Sequence, residues 1–497
     1  MKKKKRFLLA LLSVTVVSAA AIGFVGCVGD KGGNNDNSSG KSDSLSSATE
    51  NSSEEDSSSE EKSESNQDGE TIGGNSSEEE ILEGTEGIVY ELKTTNDGYG
   101  YGVTGYAGTA TEVTIASRYN GLPVTSIDWA AFEDCTSVTN IIIPNSITSI
   151  DSFAFYGCTG LTELVLPDSI TCIEYGTFSD CSNLVRISIG KNVKIIDENA
   201  FEKCANLTEI VIPDSVESIG ENAFAYCSSL ETVMIRGSVI SIGEDAFFDC
   251  SNLAEIIIPD SVMEIGYGAF FGCNRLQYTI KDELAYLGNG SNPYVYLATT
   301  KKKSLSSVTI TTGCKLIGEG AFAECKALTE VVIPDTVTSI GWGAFHDCDN
   351  LRRFSMPNSV TRIETSAFSD CDNLEEVTLS NSLTSIGDHA FHLCKKLTTI
   401  TIPNNVQNIG EYAFANCESL VGMVLPDGVT NIGAYAFQQC SGLMKIVIPV
   451  SVKAIGYKAF NGNGNLTIYC KAERKQSDWS SSWNYSNCPV VWGYTGE

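Results

Sequence analysis

A single pattern returns every 23 residues along most of this chain, and it limits the possible folds more than any other feature. The pattern reads L-x-x-I-x-I-P-[DN]-S-V-x-x-I-G-x-x-A-F-x-x-C, and its Ala-Phe pair recurs from Phe132 to Phe270 and from Phe322 to Phe460. Between Phe270 and Phe322 the spacing is 52 residues, which is two repeats plus six. A unit of this length cannot bury its own apolar face, so successive units must stack on one another.

The residues of one repeat predict its local structure. In the repeat that begins at Leu253, Ile256 and Ile258 alternate along a short strand, which Pro259 ends because proline has no N–H for the ladder. Further residues predict a core lining and a short helical turn: Val262, Ile265, Ala269, Phe270 and Cys273. Repeats of about 20–29 residues with this spacing are typical of leucine-rich repeat solenoids. We therefore predict a leucine-rich repeat solenoid with short parallel β-strands on one face, short helical turns on the other, and a cap at each end.

A cysteine closes almost every repeat. The column comprises Cys135, Cys158, Cys181, Cys204, Cys227, Cys250, Cys273, Cys325, Cys348, Cys371, Cys394, Cys417 and Cys440. Stacked coils lie about 4.8 Å apart, and parallel side chains keep the Cβ atoms about as far apart, whereas a disulfide needs about 3.8 Å. We therefore predict a ladder of free thiols that pack as small buried apolar side chains.

Residues 128–469, which contain these repeats, resemble the BspA-like leucine-rich repeat family of bacterial surface proteins. The flanking segments 84–127 and 470–497 resemble the caps of that family. The non-standard insert at 277–304, with its "LAYLGNGSNPYVYL" stretch, resembles a recurrent interruption of the repeats. The resemblance implies a cell-surface binding protein or adhesin.

The N-terminal residues 1–26 predict a lipoprotein signal peptide. A basic start, "MKKKKRF", precedes the apolar "LLALLSVTVVSAAAIGFVG". The following "FVGC" resembles the lipobox of bacterial lipoproteins, in which the cysteine takes a diacylglycerol, so the resemblance implies that Cys27 is the lipid attachment site. The alternative is cleavage near "VSAAA", which would release a soluble protein. A diacyl group is sufficient for stable anchoring, and this predicts a protein on the outer face of a bacterial membrane.

Residues 27–83 are rich in Ser and Glu and have few apolar side chains. Such a segment cannot bury enough surface to offset its chain entropy, so we predict that it is a disordered acidic linker. The whole chain has a net charge of −29, which argues against nucleic acid as a partner, because nucleic-acid binding needs a basic surface.

Solvent-facing strand positions are the candidates for ligand contact. The position between the two inward residues of each strand carries mostly apolar or β-branched side chains, among them Ile142, Val165, Val211, Met234, Ile257, Val332, Thr378 and Thr401. A charged position, which includes Glu209 and Glu255, lies two residues earlier. β-branched residues favour strands in any case, but contiguous exposed apolar surface usually marks an interaction site. We predict that this face binds an extracellular protein or glycoprotein and that the solenoid is monomeric.

Two further functions stay open. The solenoid could be a structural spacer or self-association element of the cell envelope, or its C-terminal aromatic residues could bind carbohydrate. Trp479, Trp483 and Trp492 lie in the C-terminal cap, where they could equally cover the last coil. Cys470 and Cys488 lie outside the ladder, and a disulfide between them would close a loop of this cap.

Metal and catalytic chemistry find little support in the sequence. Calcium between coils would need neighbouring carboxylates, but no two Asp residues of the turn column lie on adjacent coils. His389 and His392 occupy variable columns, so surface positions are expected there rather than a metal site. Ser and Cys recur by column, whereas a catalytic group should break the repeat. We predict no enzymatic activity, no metal and no cofactor.

The insert ends in the lysines 301–303, which could contact an acidic partner or only keep a loop soluble.

Overall fold

Two parallel ladders of short strands run along the stacked coils of the computed structural model, which describes residues 82–95 and 98–496. The predicted signal peptide, Cys27 and all but the end of the predicted linker lie outside these residues. The sequence predicted one strand per repeat, but the structure has two, because a second pair such as Ser218-Ile219 also joins the coils on either side. Within the described ranges, no helix is long and apolar enough to cross a membrane.

The N-terminal cap supplies the first strand of each ladder. Its strands are β1 (Ile88–Thr95), β2 (Gly98–Tyr106), β3 (Glu112–Thr114), β4 (Arg118–Tyr119) and β5 (Leu122–Ile127). The first ladder begins where β3 pairs with β6 (Asn140–Ile142), and the second begins where β5 pairs with β7 (Ser149–Ile150). Two residues before the predicted start of the cap, Leu82 N already donates to Ser117 Oγ at 3.2 Å.

The first ladder forms the face that we call the strand face. After β6 its strands are β8 (Glu163–Val165), β10 (Arg186–Ser188), β12 (Glu209–Ile212), β14 (Thr232–Ile235), β16 (Glu255–Ile257), β21 (Ser307–Thr309), β23 (Glu330–Val332), β25 (Arg353–Ser355), β27 (Glu376–Thr378), β29 (Thr399–Ile400), β31 (Gly422–Val424) and β33 (Lys445–Ile448). The C-terminal cap extends it with β35 (Thr467–Cys470) and β36 (Val490–Trp492).

The second ladder consists of two-residue strands. After β7 they are β9 (Cys172–Ile173), β11 (Ile195–Ile196), β13 (Ser218–Ile219), β15 (Ser241–Ile242), β17 (Glu264–Ile265), β22 (Leu316–Ile317), β24 (Ser339–Ile340), β26 (Arg362–Ile363), β28 (Ser385–Ile386), β30 (Asn408–Ile409), β32 (Asn431–Ile432) and β34 (Ala454–Ile455). In most of them an outward polar residue precedes a buried isoleucine, so each strand adds one apolar side chain to the core.

The insert separates the hydrophobic core into two clusters. It forms an antiparallel meander of β18 (Thr279–Lys281), β19 (Leu284–Leu287) and β20 (Tyr296–Thr300), and β20 pairs in parallel with β22. Leu287 and Tyr296 pack in the N-terminal cluster, whereas Tyr286 and Leu297 pack in the C-terminal cluster. The insert therefore fills the junction between two stacks of coils and is a structural part of the solenoid.

The second ladder is interrupted at this junction, between β17 and β22. There, side-chain contacts join the N-terminal stack of coils to the C-terminal stack. Glu264 Oε2 lies 2.6 Å from Arg362 Nη1, although 98 residues separate them in sequence. Gly268 N donates to Glu319 Oε2 at 2.7 Å, and the Tyr267 and Trp342 rings lie 4.9 Å apart. In a regular coil the N–H at the position of Gly268 donates to a backbone carbonyl of the next coil, and here the Glu319 carboxylate takes the place of that carbonyl. Burial raises the pKa of Glu319.

The short helical turns predicted opposite the strands do not form. Each coil has a series of tight turns in which N–H groups alternate between two kinds of partner. Phe155 N donates to Thr177 O of the next coil at 3.0 Å, whereas Tyr156 N donates to Phe153 O of its own coil at 2.9 Å. Residues with positive φ, such as Asn199 at 56° and Lys203 at 60°, interrupt any helical run. A helix would use every N–H inside its own coil, so these turns exchange helical bonds for bonds between coils.

The phenylalanines form a stacked column inside the turns of each of the two stacks of coils. Neighbouring rings from Phe132 to Phe270, and again from Phe322 to Phe460, stack with centroids 5.1–5.8 Å apart. Such pairs add about 0.5–1.5 kcal/mol each beyond the area that they bury. The column requires identical spacing in every coil, which explains the strict period of the Ala-Phe pair.

The cysteine ladder lies beside this column as free thiols, all of them buried except the half-buried Cys135. Eleven of the thiols donate to the phenylalanine carbonyl of the preceding coil at 3.0–3.3 Å, as Cys227 Sγ does to Phe201 O. In the last coil Asn463 takes the cysteine position, and its Nδ2 donates to Phe437 O at 2.7 Å. The column therefore needs a compact hydrogen-bond donor as well as an apolar filler.

The disulfide considered between Cys470 and Cys488 is absent from the structure, in which both are free thiols. Cys470 ends β35, where burial raises its pKa to about 12. Cys488 lies just before β36, and its Sγ donates to Asn463 O at 3.3 Å. In the ladder the acceptor is a phenylalanine carbonyl, whereas here it is the carbonyl of the residue in the cysteine position. Cys488 therefore joins the cap to the last coil by a hydrogen bond and not by a covalent loop.

The thiols predict a loss of stability at alkaline pH. Burial raises the pKa of Cys227 from about 9.0 to about 12, and that of Cys181 likewise. Because the unfolded chain releases these protons first, the stabilisation is complete below about pH 9 and falls as the pH rises toward about 12. Urea unfolding at pH 8 and pH 10 should show a steep fall in the free energy of unfolding.

The variant Cys227→Ala provides the control. It removes one titrating thiol from the difference between the two states, so the fall in the free energy of unfolding between pH 8 and pH 10 should be smaller by about 1.4 kcal/mol. An equal free energy of unfolding at pH 8 and pH 10 in the unchanged chain would contradict the burial of protonated thiols.

Candidate ligand-binding face

The outward side chains along the strand face are not equally exposed to solvent. Of the residues predicted to contact a ligand, the exposed ones are Ile142, Val165, Val211, Val332, Thr378, Thr401, Glu209 and Glu255. Met234 and Ile257 are only half exposed. Val447 occupies the same column but is buried on β33, the last strand before the C-terminal cap. The apolar stripe predicted from the sequence is therefore uneven, and its most exposed members are Val165 near one end and Val424 near the other.

A groove of about 1000 Å³ opens over β6, β8, β10 and β12. Ile142, Val165 and Val211 form its apolar floor, and Glu209 lies along one side. The other predicted contact residues lie outside its lining: Met234, Ile257, Val332, Thr378, Thr401 and Glu255. The structure thus brings four of the predicted residues into one concave surface.

Charged side chains border the groove on both sides. Arg186 Nη1 lies 3.6 Å from Glu163 Oε1, and on the opposite side Lys191 contacts Asp168. Each of these pairs joins adjacent coils, but exposed pairs of this kind contribute only about 0.2–1 kcal/mol. Their main effect is on the electrostatic pattern that an approaching ligand meets.

Arg236 is a lining residue that the sequence interpretation missed. It stands in the column where most repeats have proline, directly after β14, and so points its guanidinium toward one end of the groove. Among the described residues it forms no ion pair, which leaves a free cation at that end. A departure from the repeat consensus was the signal that could have identified it.

Gly190 breaks the same proline column two coils earlier. A Cβ at this position would lie 2.4 Å from Pro167 O, so only glycine permits this close approach of backbones. The chain that follows Gly190 places Lys191 at the edge of the groove. Two departures from the consensus thus shape the N-terminal part of the strand face.

Val332 lies at a different place, in a pocket of about 400 Å³ next to the insert. The lysines of the insert have structural contacts: Lys301 Nζ lies 5.1 Å from the Tyr278 ring centroid, and Lys303 Nζ donates to Ala323 O at 2.6 Å. Two of the three basic side chains predicted as a contact for an acidic partner therefore fasten the insert to the solenoid.

The candidate metal and carbohydrate residues also have structural contacts. The His389 ring stacks on Tyr412 at 4.8 Å, and burial lowers the pKa of both His389 and His392. Across the described ranges, no three His, Cys, Asp or Glu side chains form a group that could hold a metal ion. Trp479 and Trp483 are buried within the C-terminal cap, and Trp479 Nε1 donates to Val452 O at 3.2 Å.

Asp260, in the turn column considered for calcium, instead anchors the insert. Its Oδ1 accepts a hydrogen bond from Asn292 Nδ2 at 2.9 Å and lies 3.1 Å from Lys315 Nζ. These contacts, first of all the one with Asn292, hold the pKa of Asp260 below its usual value. The carboxylate therefore joins both stacks to the insert.

The repeat pattern and the strand ladders agree with a known family. The model of the BspA type leucine rich repeat region (6 copies) matches residues 111–231, 217–296, 295–421 and 408–487. The chain belongs to this family. The BspA-type model describes a repeat region and indicates no catalytic family, and a comparison with curated proteins finds no match.

Solved structures of similar proteins come from several bacteria. A leucine-rich repeat protein of Bacteroides ovatus ATCC 8483 is 30% identical, covers 82% of this chain and 98% of its own, and has a TM-score of 0.41. A leucine rich cell surface protein of Faecalibacterium prausnitzii A2-165 is 28% identical, with coverages of 84% and 99% and a TM-score of 0.39. The pneumococcal vaccine antigen PcpA is 20% identical, with coverages of 83% and 98% and a TM-score of 0.31.

Proposed function

We propose that this BspA-type protein is a non-enzymatic surface protein that binds an extended protein or glycoprotein in the groove over β6, β8, β10 and β12. The observation that carries the proposal is a concave surface with an exposed apolar floor, formed by Ile142, Val165 and Val211. An exposed apolar surface with a polar rim is typical of an interaction site. Membership of a surface-protein family supports the same function.

The shape of the groove favours an elongated ligand. Its floor repeats from coil to coil at about 4.8 Å, and Glu163, Arg186 and Glu209 place charges beside it at the same period. A ligand that lies along the solenoid axis would contact all four strands through many weak contacts. Since association costs several kcal/mol of lost freedom, a ligand that spans the whole groove binds more favourably than a compact one on a single coil.

The proposed location is the outer face of a bacterial membrane. Cys27 in "FVGC" would carry the lipid, and the acidic residues 28–83 would form the tether between the membrane and the solenoid. A flexible tether of this length would span roughly 40 Å on average, and more when its charges repel. The name of the Faecalibacterium relative, a cell surface protein, supports this location.

Replacing the floor of the groove tests the binding site. The double variant Val165→Lys and Val211→Lys adds two cations to the apolar floor and should weaken binding at least tenfold. Residues 82–497 would be immobilised and titrated with extracellular-matrix proteins, mucins and bacterial-surface glycoproteins. Met234 and Ile257 are unsuitable for this test because they are half-buried.

Val424→Lys is the matched control, because Val424 occupies the same column with nearly equal exposure, 65% against 67% for Val165, but lies outside the groove. It should leave affinity unchanged. Equal binding by the double variant and the control would exclude the groove as the site. If no ligand binds the unchanged protein, the alternatives of an envelope spacer and a self-association element gain support.

The lipid anchor has a separate test. In the full chain expressed in a bacterial host, Cys27→Ala should abolish incorporation of labelled palmitate and move the protein from the membrane fraction to the soluble fraction, because the thiol is the proposed acylation site. Cys135→Ala, which changes a half-buried cysteine of the solenoid, is the control and should keep the label. Labelling that persists in Cys27→Ala would refute anchoring at this residue.

A further inference from the structure

The strand face has a gap at the insert. β16 pairs only with β14, and β21 pairs only with β23, so no described strand pairs with β21 on its N-terminal side. The ladder also lapses at β10 and β12, at β23 and β25 and at β29 and β31, but those are successive coils of the strand face that still contact each other. The residues that would supply this strand form β18 instead, which turns away to pair with β19. β21 therefore has a free edge in the middle of the solenoid.

The backbone groups at this edge point toward the missing strand. Ile310 N donates to Val332 O at 2.9 Å, and neighbouring residues of a strand point their N–H and C=O groups in opposite directions. The N–H and C=O groups of Ser307 and Thr309 consequently point away from β23. Among the described residues, none bonds to these groups. Two backbone N–H donors and two C=O acceptors are thus available to pair with an added strand, either parallel or antiparallel.

The pocket of about 400 Å³ opens at the same edge. Its lining comprises Ser307, Val308 and Thr309 of β21, Glu330 and Val332 of β23, and Asp282. Asp282 belongs to the turn between β18 and β19, so the insert that leaves the gap also borders the pocket.

The charged side chains that line the pocket are the carboxylates of Asp282 and Glu330. In the column of Glu330, Glu163 is paired with Arg186 and Glu376 with Arg353, each at 3.6 Å. Neither Glu330 nor Asp282 takes part in an ion pair within the part of the chain that the structure describes. A ligand at this edge would meet two carboxylates without a neutralising cation, which favours a basic side chain.

We propose that the free edge of β21 receives a short extended peptide segment that carries a lysine or arginine. The segment pairs its backbone with Ser307 and Thr309 as an added strand, and its basic side chain enters the pocket between Asp282 and Glu330. Main-chain bonds supply affinity in this mode of recognition, and the side-chain pocket supplies specificity. This second site is independent of the groove over β6 to β12 and goes beyond the proposed function.

An array of acetylated hexapeptides tests the site. On an alternating Thr-Val background, Lys is placed at each position in turn, and a second series carries Glu at the same positions. Fluorescence anisotropy with residues 82–497 should show saturable binding of Lys peptides and none of Glu peptides. Methylation of alternate backbone nitrogens should abolish binding in one of the two registers. Absence of saturable binding by every Lys peptide, or equal binding of both series, would overturn the proposal.

Hydrogen exchange and variants locate the site. A bound Lys peptide should slow exchange in 305–310 and leave 140–211 unchanged. The double variant Asp282→Asn and Glu330→Gln should weaken binding about tenfold, whereas the control Glu112→Gln, an exposed glutamate at the same outward position of β3 but outside the pocket, should not. Val165→Lys with Val211→Lys should also leave peptide binding unchanged. Protection from exchange elsewhere, or a loss of binding caused equally by Glu112→Gln, would refute a site at β21.

Discussion

Backbone hydrogen bonds between successive coils hold this solenoid together, and the other features depend on their spacing. In the turns, every second N–H bonds to the next coil, as Phe155 N does to Thr177 O, while the intervening N–H groups close the turns. Both strand ladders use the same spacing. Because the spacing is constant, side chains in equal positions contact one another along the whole stack. The stacked phenylalanines and the thiol donors are consequences of this regular geometry.

The cysteine column shows how one residue type meets two requirements at once. The side chain must fit beside stacked phenylalanine rings, and it must present a donor to a carbonyl of the preceding coil. A thiol does both, and burial keeps it protonated. Where the core ends, Asn463 retains the donor function against Phe437 O. The column is thus explained by hydrogen bonding in addition to packing, and it requires no redox chemistry.

Departures from the regular geometry create the two candidate binding sites. Gly190 and Arg236 replace prolines in adjacent parts of the groove, and the insert removes one strand from the strand face at β21. The same insert joins the stacks through buried side chains, such as Tyr286 and Tyr296, on its two sides. A repeat protein gains local surfaces in this way, because a break in the repeat changes the side chains and backbone groups that neighbouring coils present to a ligand.

The sequence alone determined the solenoid, the inward-facing residues and the position of the interruption, because the 23-residue period constrains every coil in the same way. It also indicated which strand residues face solvent, including Val165 and Val211. Only the tertiary structure decided the form of the turns, since residues such as Lys203 adopt positive φ when their coil bonds to its neighbour. It likewise decided that Ile142, Val165 and Val211 share a groove while Met234 does not, because concavity depends on how successive coils stack. The free edge of β21 follows from where the insert directs its chain, which no local pattern specifies.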